Sequence, residues 1–216
     1  MMLSMAGMIG TGKTVYTARL AEELGIRPFY ELVEENPLLE KYYNDRVTWG
    51  FAIQIYLLNM RFAMIKEAGR CEGSITDRCI YEDELFTYVN MKDGIIRPEE
   101  FDVYVDLRDN IMEEIEGLPK KAPDLLIYLD GSLDYVLANI KKRGREFEQG
   151  QELVDYYTKL HEQYAIWFEA YDVGPKMVIN AEDYDVHRDE DWAEVYELIQ
   201  EELQERGLID EDCKQA

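Results

Sequence analysis

Gly7-Met8-Ile9-Gly10-Thr11-Gly12-Lys13-Thr14 is the stretch whose reading decides the fold. It follows a short apolar run, Met2 to Ala6, and opens a segment with helical spacing, Lys13 to Leu24. At such a strand-to-helix junction, glycines spaced as G-x-x-x-x-G-K-T let the backbone turn its N–H groups inward around phosphate oxygens. The helix N-terminus adds its positive potential. In that arrangement Lys13 reaches the β and γ phosphates and the Thr14 hydroxyl sits on Mg²⁺. The expectation is ATP or GTP with Mg²⁺, cradled by Gly7, Met8, Ile9, Gly10, Thr11, Gly12, Lys13 and Thr14. The alternative, a glycine-rich turn that fits by chance, does not explain the junction.

Working outward, further apolar runs at Pro28 to Glu31, Ser74 to Thr76, Leu125 to Leu129 and Met177 to Ile179 read as buried strands. Segments of helical period separate them: Leu38 to Asn44, Val47 to Gly69, Tyr81 to Met91, Pro98 to Ile115, Leu133 to Lys142, Glu152 to Tyr171 and Asp191 to Glu205. Strands alternating with helices predict a parallel α/β sheet, whose ligands gather where the strands end at their carboxyl edge. With 216 residues and no repeat, low-complexity tract or linker, the chain is expected to be one domain over 1–216.

Lys plus Arg number 23 against 46 Asp plus Glu, a formal charge of −23. A surface that negative repels phosphodiester backbones, which argues against a general nucleic-acid binder. The 47% apolar and 12% aromatic content is that of a folded globule. No apolar stretch is long enough to span a membrane, and the N-terminus has no basic residue before Lys13 to begin a signal peptide. A cytoplasmic location is expected. Cys71, Cys79 and Cys213 are an odd count without CxxC spacing, so they read as reduced thiols.

The phosphate loop alone does not separate kinases from ATPases and GTPases. Glu31 ends the second predicted strand, and Asp77 and Arg78 follow the third, which puts them near the γ-phosphate. A carboxylate there takes a proton from a hydroxyl nucleophile, and an arginine neutralises charge on the transferring group. Glu31 is equally readable as a solvated loop acid. Gln54 and Arg61, seven apart on one helix face, and Asp83 on the next helix suit a heterocycle with mixed polar edges, or a polar pair satisfied within the core. The cluster Lys141-Lys142-Arg143-Gly144-Arg145 reads as a helix-end cap or as a flap over triphosphate. The Tyr and Trp stripe from Tyr156 to Tyr171 reads as core packing.

In order and spacing, Gly7 to Thr14, Phe29-Tyr30-Glu31-Leu32-Val33-Glu34-Glu35-Asn36-Pro37, Trp49 to Tyr56, Asp77-Arg78-Cys79-Ile80-Tyr81-Glu82-Asp83 and Lys142 to Gln149 resemble the deoxynucleoside kinase family, especially its bacterial deoxyadenosine and deoxyguanosine members. The resemblance implies a P-loop kinase fold, with a central five-stranded parallel sheet flanked by helices and a short lid near 142–151. It also implies ATP-dependent phosphorylation of a deoxynucleoside 5′-hydroxyl, deoxypurines preferred and deoxycytidine admissible, and a homodimer packed through the long helices.

Carried over by residue, the resemblance makes Glu31 the base and Arg78 the arginine that holds it and the transition-state charge, with Asp77 near the metal. Tyr43 and Glu148 would contact the 3′-hydroxyl, and Gln54 would read the base edge, with Arg61 and Asp83 at base-reading positions. Arg143 and Arg145 would clamp the donor phosphates. Three positions depart from the family pattern. Leu32 replaces a proline, leaving Glu34 and Glu35 as rival bases; Cys79 replaces a serine; Asn139 replaces a lid arginine. Lys141 or Lys142 is expected to compensate for the last, making Lys142 more important than in relatives. The rivals are a nucleoside monophosphate kinase, whose anionic acceptor would want more arginines than this set offers, and a deoxynucleotide-binding regulator without turnover.

Overall fold

The computed structural model describes residues 1–31, 36–116, 122–150 and 152–210. Five parallel strands form one sheet: β1 (Met2–Gly7), β2 (Arg27–Phe29), β3 (Ser74–Thr76), β4 (Leu125–Asp130) and β5 (Lys176–Asn180), in the order β2-β3-β1-β4-β5. The strand order reverses direction at β1, so the loop after it opens at the switch point where crevice ligands bind. All six residues of β1 are buried, as are the first five of β4, which is why both read as continuous apolar runs.

The helices are α1 (Lys13–Leu24), α2 (Leu39–Asn44), α3 (Arg46–Ala68), α4 (Asp83–Lys92), α5 (Pro98–Glu116), α6 (Leu133–Arg143), α7 (Glu152–Ala170) and α8 (Asp189–Glu205). Local chemistry sets several of their ends. The Asp45 side chain accepts from the Thr48 N–H at the start of α3, and Ser132 accepts from the Tyr135 N–H at the start of α6. Gly25 and Gly144, both left-handed, stop α1 and α6.

Two layers cover the sheet. On one face Tyr16 and Leu20 of α1 and Trp192, Val195 and Ile199 of α8 pack on Leu3, Met5, Leu125 and Ile127. On the other, Leu85 and Phe86 of α4, Val136 of α6 and Leu160 and Tyr164 of α7 pack on Ala6, Leu126 and Tyr128. Each such large apolar side chain contributes roughly 1.5–3 kcal/mol on burial.

Most element ends fall within one or two residues of the sequence expectation, and two differences have a local cause. β2 stops at Phe29 rather than Glu31: the Asp77 N–H donates to the Phe29 carbonyl at 2.9 Å, and β3 has already ended at Thr76, so Tyr30 and Glu31 leave the sheet without a ladder partner. The helix expected from Tyr81 begins as a 3₁₀ turn, Ile80–Glu82, because the Glu82 side chain reaches back to the Cys79 N–H. Leu32, Glu34, Glu35, Gln151 and Cys213 lie outside the described residues. Among the described residues no helix is long and apolar enough to cross a membrane.

Candidate active site

The phosphate loop joins β1 to α1. Gly7 has φ +140°, and a Cβ there would lie 2.6 Å from the Leu129 carbonyl oxygen; Gly10 has φ +91°, and its Cβ would press on the Val136 carbonyl of α6 at 3.0 Å. Neither position accepts a side chain without moving backbone. The Lys13 Nζ, buried, donates to the Gly7 and Met8 carbonyls at 2.7 Å each. Burial, with the Arg78 cation adding to it, lowers the Lys13 ammonium to about 7, a condition that phosphate oxygens relieve by supplying opposite charge.

The loop floors a cavity of about 790 Å³, whose lining includes Ile9, Gly10, Gly12, Lys13, Thr14, Glu31, Asp77 and Arg78. Gln54 and Arg61 enter from α3, Tyr43 from α2, and Arg143, Arg145 and Glu148 from the end of α6 and the turn after it. Residues far apart in sequence thus meet at the carboxyl edge of the sheet, as their positions after strands predict. Gly7, Met8 and Thr11 of the loop stand outside the cavity lining: Met8 is a core side chain, and the Thr11 hydroxyl is spent on the Met8 carbonyl at 2.9 Å.

An alternating run of charges forms the centre of the cavity. Glu31 accepts from Arg61 Nη2 at 2.6 Å through Oε1 and from Arg78 Nε at 3.1 Å through Oε2. Burial alone would raise the Glu31 carboxyl, but the two guanidiniums outweigh it and hold it at about 2. A carboxyl depressed from 4.5 contributes stability that is full above about pH 4.5 and lost as pH falls through about 2. The stability gap between wild type and Glu31→Gln in urea unfolding is therefore expected to shrink between about pH 6 and about pH 3. A gap that stays constant would contradict the depressed carboxyl.

Arg61 also pairs with Asp83, which is 2% exposed and does not line the cavity. Asp83, which the resemblance puts at a base-reading position, thus meets the cavity through Arg61, its carboxyl pushed up to about 6 by burial against the pull of that arginine. Gln54 is buried at the cavity wall seven residues before Arg61, on the same face of α3.

Thr14 donates its hydroxyl to Asp77 Oδ2 at 2.7 Å. Among the described residues the buried Asp77 Oδ1 has no hydrogen-bond partner. A hydroxyl and a carboxylate with a spare oxygen, facing a phosphate loop, are hard donors that fit Mg²⁺, an ion that takes one or two protein ligands and completes its shell with phosphate and water.

In the turn after α6, Glu148 is buried and accepts from Arg143 Nε at 3.1 Å and Nη2 at 2.6 Å, with Arg145 Nη1 at 3.5 Å. Tyr43 stacks near Phe147 at a ring separation of 5.4 Å. Asn139 donates from Nδ2 to the Gly10 carbonyl at 3.0 Å, so the side chain at the position where the resemblance implies an arginine ties α6 to the phosphate loop. Lys142 is exposed and outside the lining, so the structure does not bring it to the phosphates as the sequence reading expects. Lys142→Ala is accordingly expected to leave the donor KM within about twofold, while Arg143→Ala raises it about tenfold through loss of a charge-assisted contact. Equal effects of the two substitutions would contradict this geometry.

Four functional candidates escaped the sequence reading: Glu82, Tyr164, Tyr42 and the tether at Asn139. Tyr164 belongs to the aromatic stripe assigned to the core, where it does pack, but its hydroxyl also accepts from Arg78 Nη1 at 2.9 Å. Tyr42 lines the cavity and donates to Asn90 Oδ1 at 2.8 Å. The Cys79-x-x-Glu82 spacing, with its capping-box form, was the local signal available for Glu82.

A model of the deoxynucleoside kinase family matches residues 3–204. The deoxyguanosine kinase of Lactobacillus johnsonii is 42% identical over 214 residues, covering 97% of this chain and 96% of that protein. The deoxyadenosine kinase of Lactobacillus acidophilus is 44% identical over 209 residues, covering 95% and 97%. Among solved structures, a deoxyadenosine kinase from M. mycoides with bound dCTP has a TM-score of 0.80 at 32% identity, covering 95% of this chain and all 100% of that one.

Proposed function

The chain belongs to the deoxynucleoside kinase family and has its P-loop kinase fold, and we propose that it transfers the γ-phosphoryl group of ATP to the 5′-hydroxyl of a deoxypurine nucleoside. The observation that carries this reading is the pairing of Glu31 with Arg61 and Arg78 in one cavity with Lys13. A carboxylate facing a phosphate loop suits a neutral hydroxyl acceptor; an anionic acceptor would be repelled by Glu31 and Glu148.

In this mechanism Glu31 takes the proton from the 5′-hydroxyl as that oxygen bonds to the γ-phosphorus. The bond from the γ-phosphorus to the β–γ bridging oxygen breaks, and the diphosphate leaves with the electron pair. Lys13 and Arg78 neutralise the spreading charge, and Arg143 and Arg145 close over the donor. Thr14 and Asp77 would hold Mg²⁺, which supplies further neutralisation of the phosphates. Tyr43 and Glu148 orient the sugar, and Gln54 with Arg61 reads the base edge, Asp83 fixing Arg61 from behind.

The deoxypurine preference draws on the kinases of L. johnsonii and L. acidophilus, named for deoxyguanosine and deoxyadenosine. Its test is kcat/KM for the four deoxynucleosides at fixed Mg-ATP. A purine preferred over thymidine by about tenfold or more is expected from hydrogen-bonded base discrimination, and thymidine as best substrate would overturn it. The same reading makes the chain one domain with a lid at 142–151, cytoplasmic, acting as a homodimer packed through its long helices. Val103 and Leu107 of α5 and Val47 of α3, all exposed, suit such packing.

A further inference from the structure

Glu82 lies outside the cavity lining, yet its carboxylate is fully buried, with 0% exposure. It closes the 3₁₀ turn that follows Arg78. Oε1 accepts from the Cys79 N–H at 3.1 Å and faces Arg78 Nη1 at 3.3 Å, and Oε2 accepts from the Gly7 N–H at 3.1 Å. The Tyr164 hydroxyl bonds both Glu82 and Arg78. One side chain therefore touches the first residue of the phosphate loop and the arginine of the reaction centre.

The two amides do not account for a charge at this position. Gly7 ends β1 three residues beyond Ser4, the last residue paired with β3, so its N–H needs an acceptor, and so does the N–H of Cys79; a neutral carbonyl oxygen serves either. An ionised carboxylate without solvent exposure costs several kcal/mol of desolvation unless a cation compensates it; Arg78 makes the direct ion pair, and Lys13 also feels the Glu82 charge without an ion pair to it. The charge on Glu82 thus points to Arg78.

The pairing pattern says what the charge does. Each buried arginine has one acid of its own, Asp83 for Arg61 and Glu82 for Arg78, and the two share Glu31. Glu31 is the group that becomes neutral when the acceptor proton arrives. At that moment Arg78 would lose the acid that faces it from the cavity lining among the described residues, just as charge builds on the phosphoryl group.

We propose that Glu82 is a positioning residue that holds Arg78 in register with the phosphate loop and keeps it paired while Glu31 is protonated. Through Gly7, the same carboxylate fixes the distance between the loop that cradles the donor and the guanidinium that meets the transferring group. The inference rests on the roles given above to Glu31 and Arg78.

Steady-state kinetics of Glu82→Gln, Arg78→Lys and the double variant test it. Glu82→Gln is expected to lower kcat by about 10- to 100-fold with both KM values within about threefold, the pattern of an interaction realised in the transition state. Because Glu82 acts through Arg78, the same substitution in the Arg78→Lys background is expected to cost about threefold or less. Wild-type kcat in Glu82→Gln, or the same factor in both backgrounds, would overturn the proposal. Should Glu82→Gln not fold, Tyr164→Phe removes only a hydroxyl from the same frame. It is expected to lower kcat by about three- to tenfold at unchanged KM, and unchanged kcat would overturn the proposal. Arg78→Lys with wild-type turnover would instead bring down the reading of the reaction centre itself.

Discussion

Arg78→Lys is expected to reduce turnover by about 10²- to 10³-fold, the cost of removing one preorganised donor from developing charge. The guanidinium makes three directional contacts at once: Nε to Glu31 at 3.1 Å, Nη1 to the Tyr164 hydroxyl at 2.9 Å, and Nη1 to Glu82 at 3.3 Å. A lysine carries the same charge as a compact point on a flexible stem and has no fork to meet them together. The Phe86 ring, 5.1 Å from the guanidinium, adds a planar surface that an ammonium uses less well. Because the positive charge is kept beside Glu31, Glu82 and Asp83, the variant is expected to fold. Single-turnover kinetics check the effect on the chemical step, and a loss below about fivefold would mean that Arg78 orders the cavity without stabilising the transferring group.

Glu31→Gln is expected to lower turnover by more than about a hundredfold, the signature of a missing general base. The amide keeps an acceptor for the arginines but takes no proton. The geometry favours a clean result, since Arg61 retains Asp83 and Arg78 retains Glu82 when the central charge is gone. A carboxyl held at about 2 is a weak base in the free protein, and two guanidiniums are the cause. When Arg78 turns part of its charge toward a phosphoryl group, Glu31 loses part of that depression and becomes a stronger base beside a bound donor. If Glu31→Gln remained active while Glu34→Gln did not, the base would be the neighbour in the segment outside the described residues.

Much of this architecture was legible in the chain. Gly7 to Thr14 predicts the strand-to-helix junction at the mouth of the cavity, and the alternation of apolar runs with helical segments predicts the five strands and eight α-helices seen among the described residues. What escaped were matters of partnership. The end of β2 depends on where β3 departs, which periodicity within β2 does not encode, so Glu31 was placed on a strand it follows. The resemblance groups Asp83 with the base-reading set, and its ion pair with Arg61, made outside the cavity lining, depends on how α3 and α4 pack, which spacing along one chain does not encode. Glu82 is one of 46 acidic residues, and beyond its capping-box spacing from Cys79 it is burial beside Gly7 and Arg78 that distinguishes it. Lys142 looked like a substitute for a missing arginine, whereas Asn139 fills that position by binding the Gly10 carbonyl.

The measurement that bears most directly on the central claim is product identity. The protein is incubated with Mg-ATP and each deoxynucleoside, and separately with each deoxynucleoside monophosphate, and the nucleotides are resolved by chromatography. The account predicts 5′-monophosphates from deoxyadenosine and deoxyguanosine and no conversion of monophosphates to diphosphates. Diphosphates formed only from monophosphates, or tight nucleoside binding with no product, would contradict it.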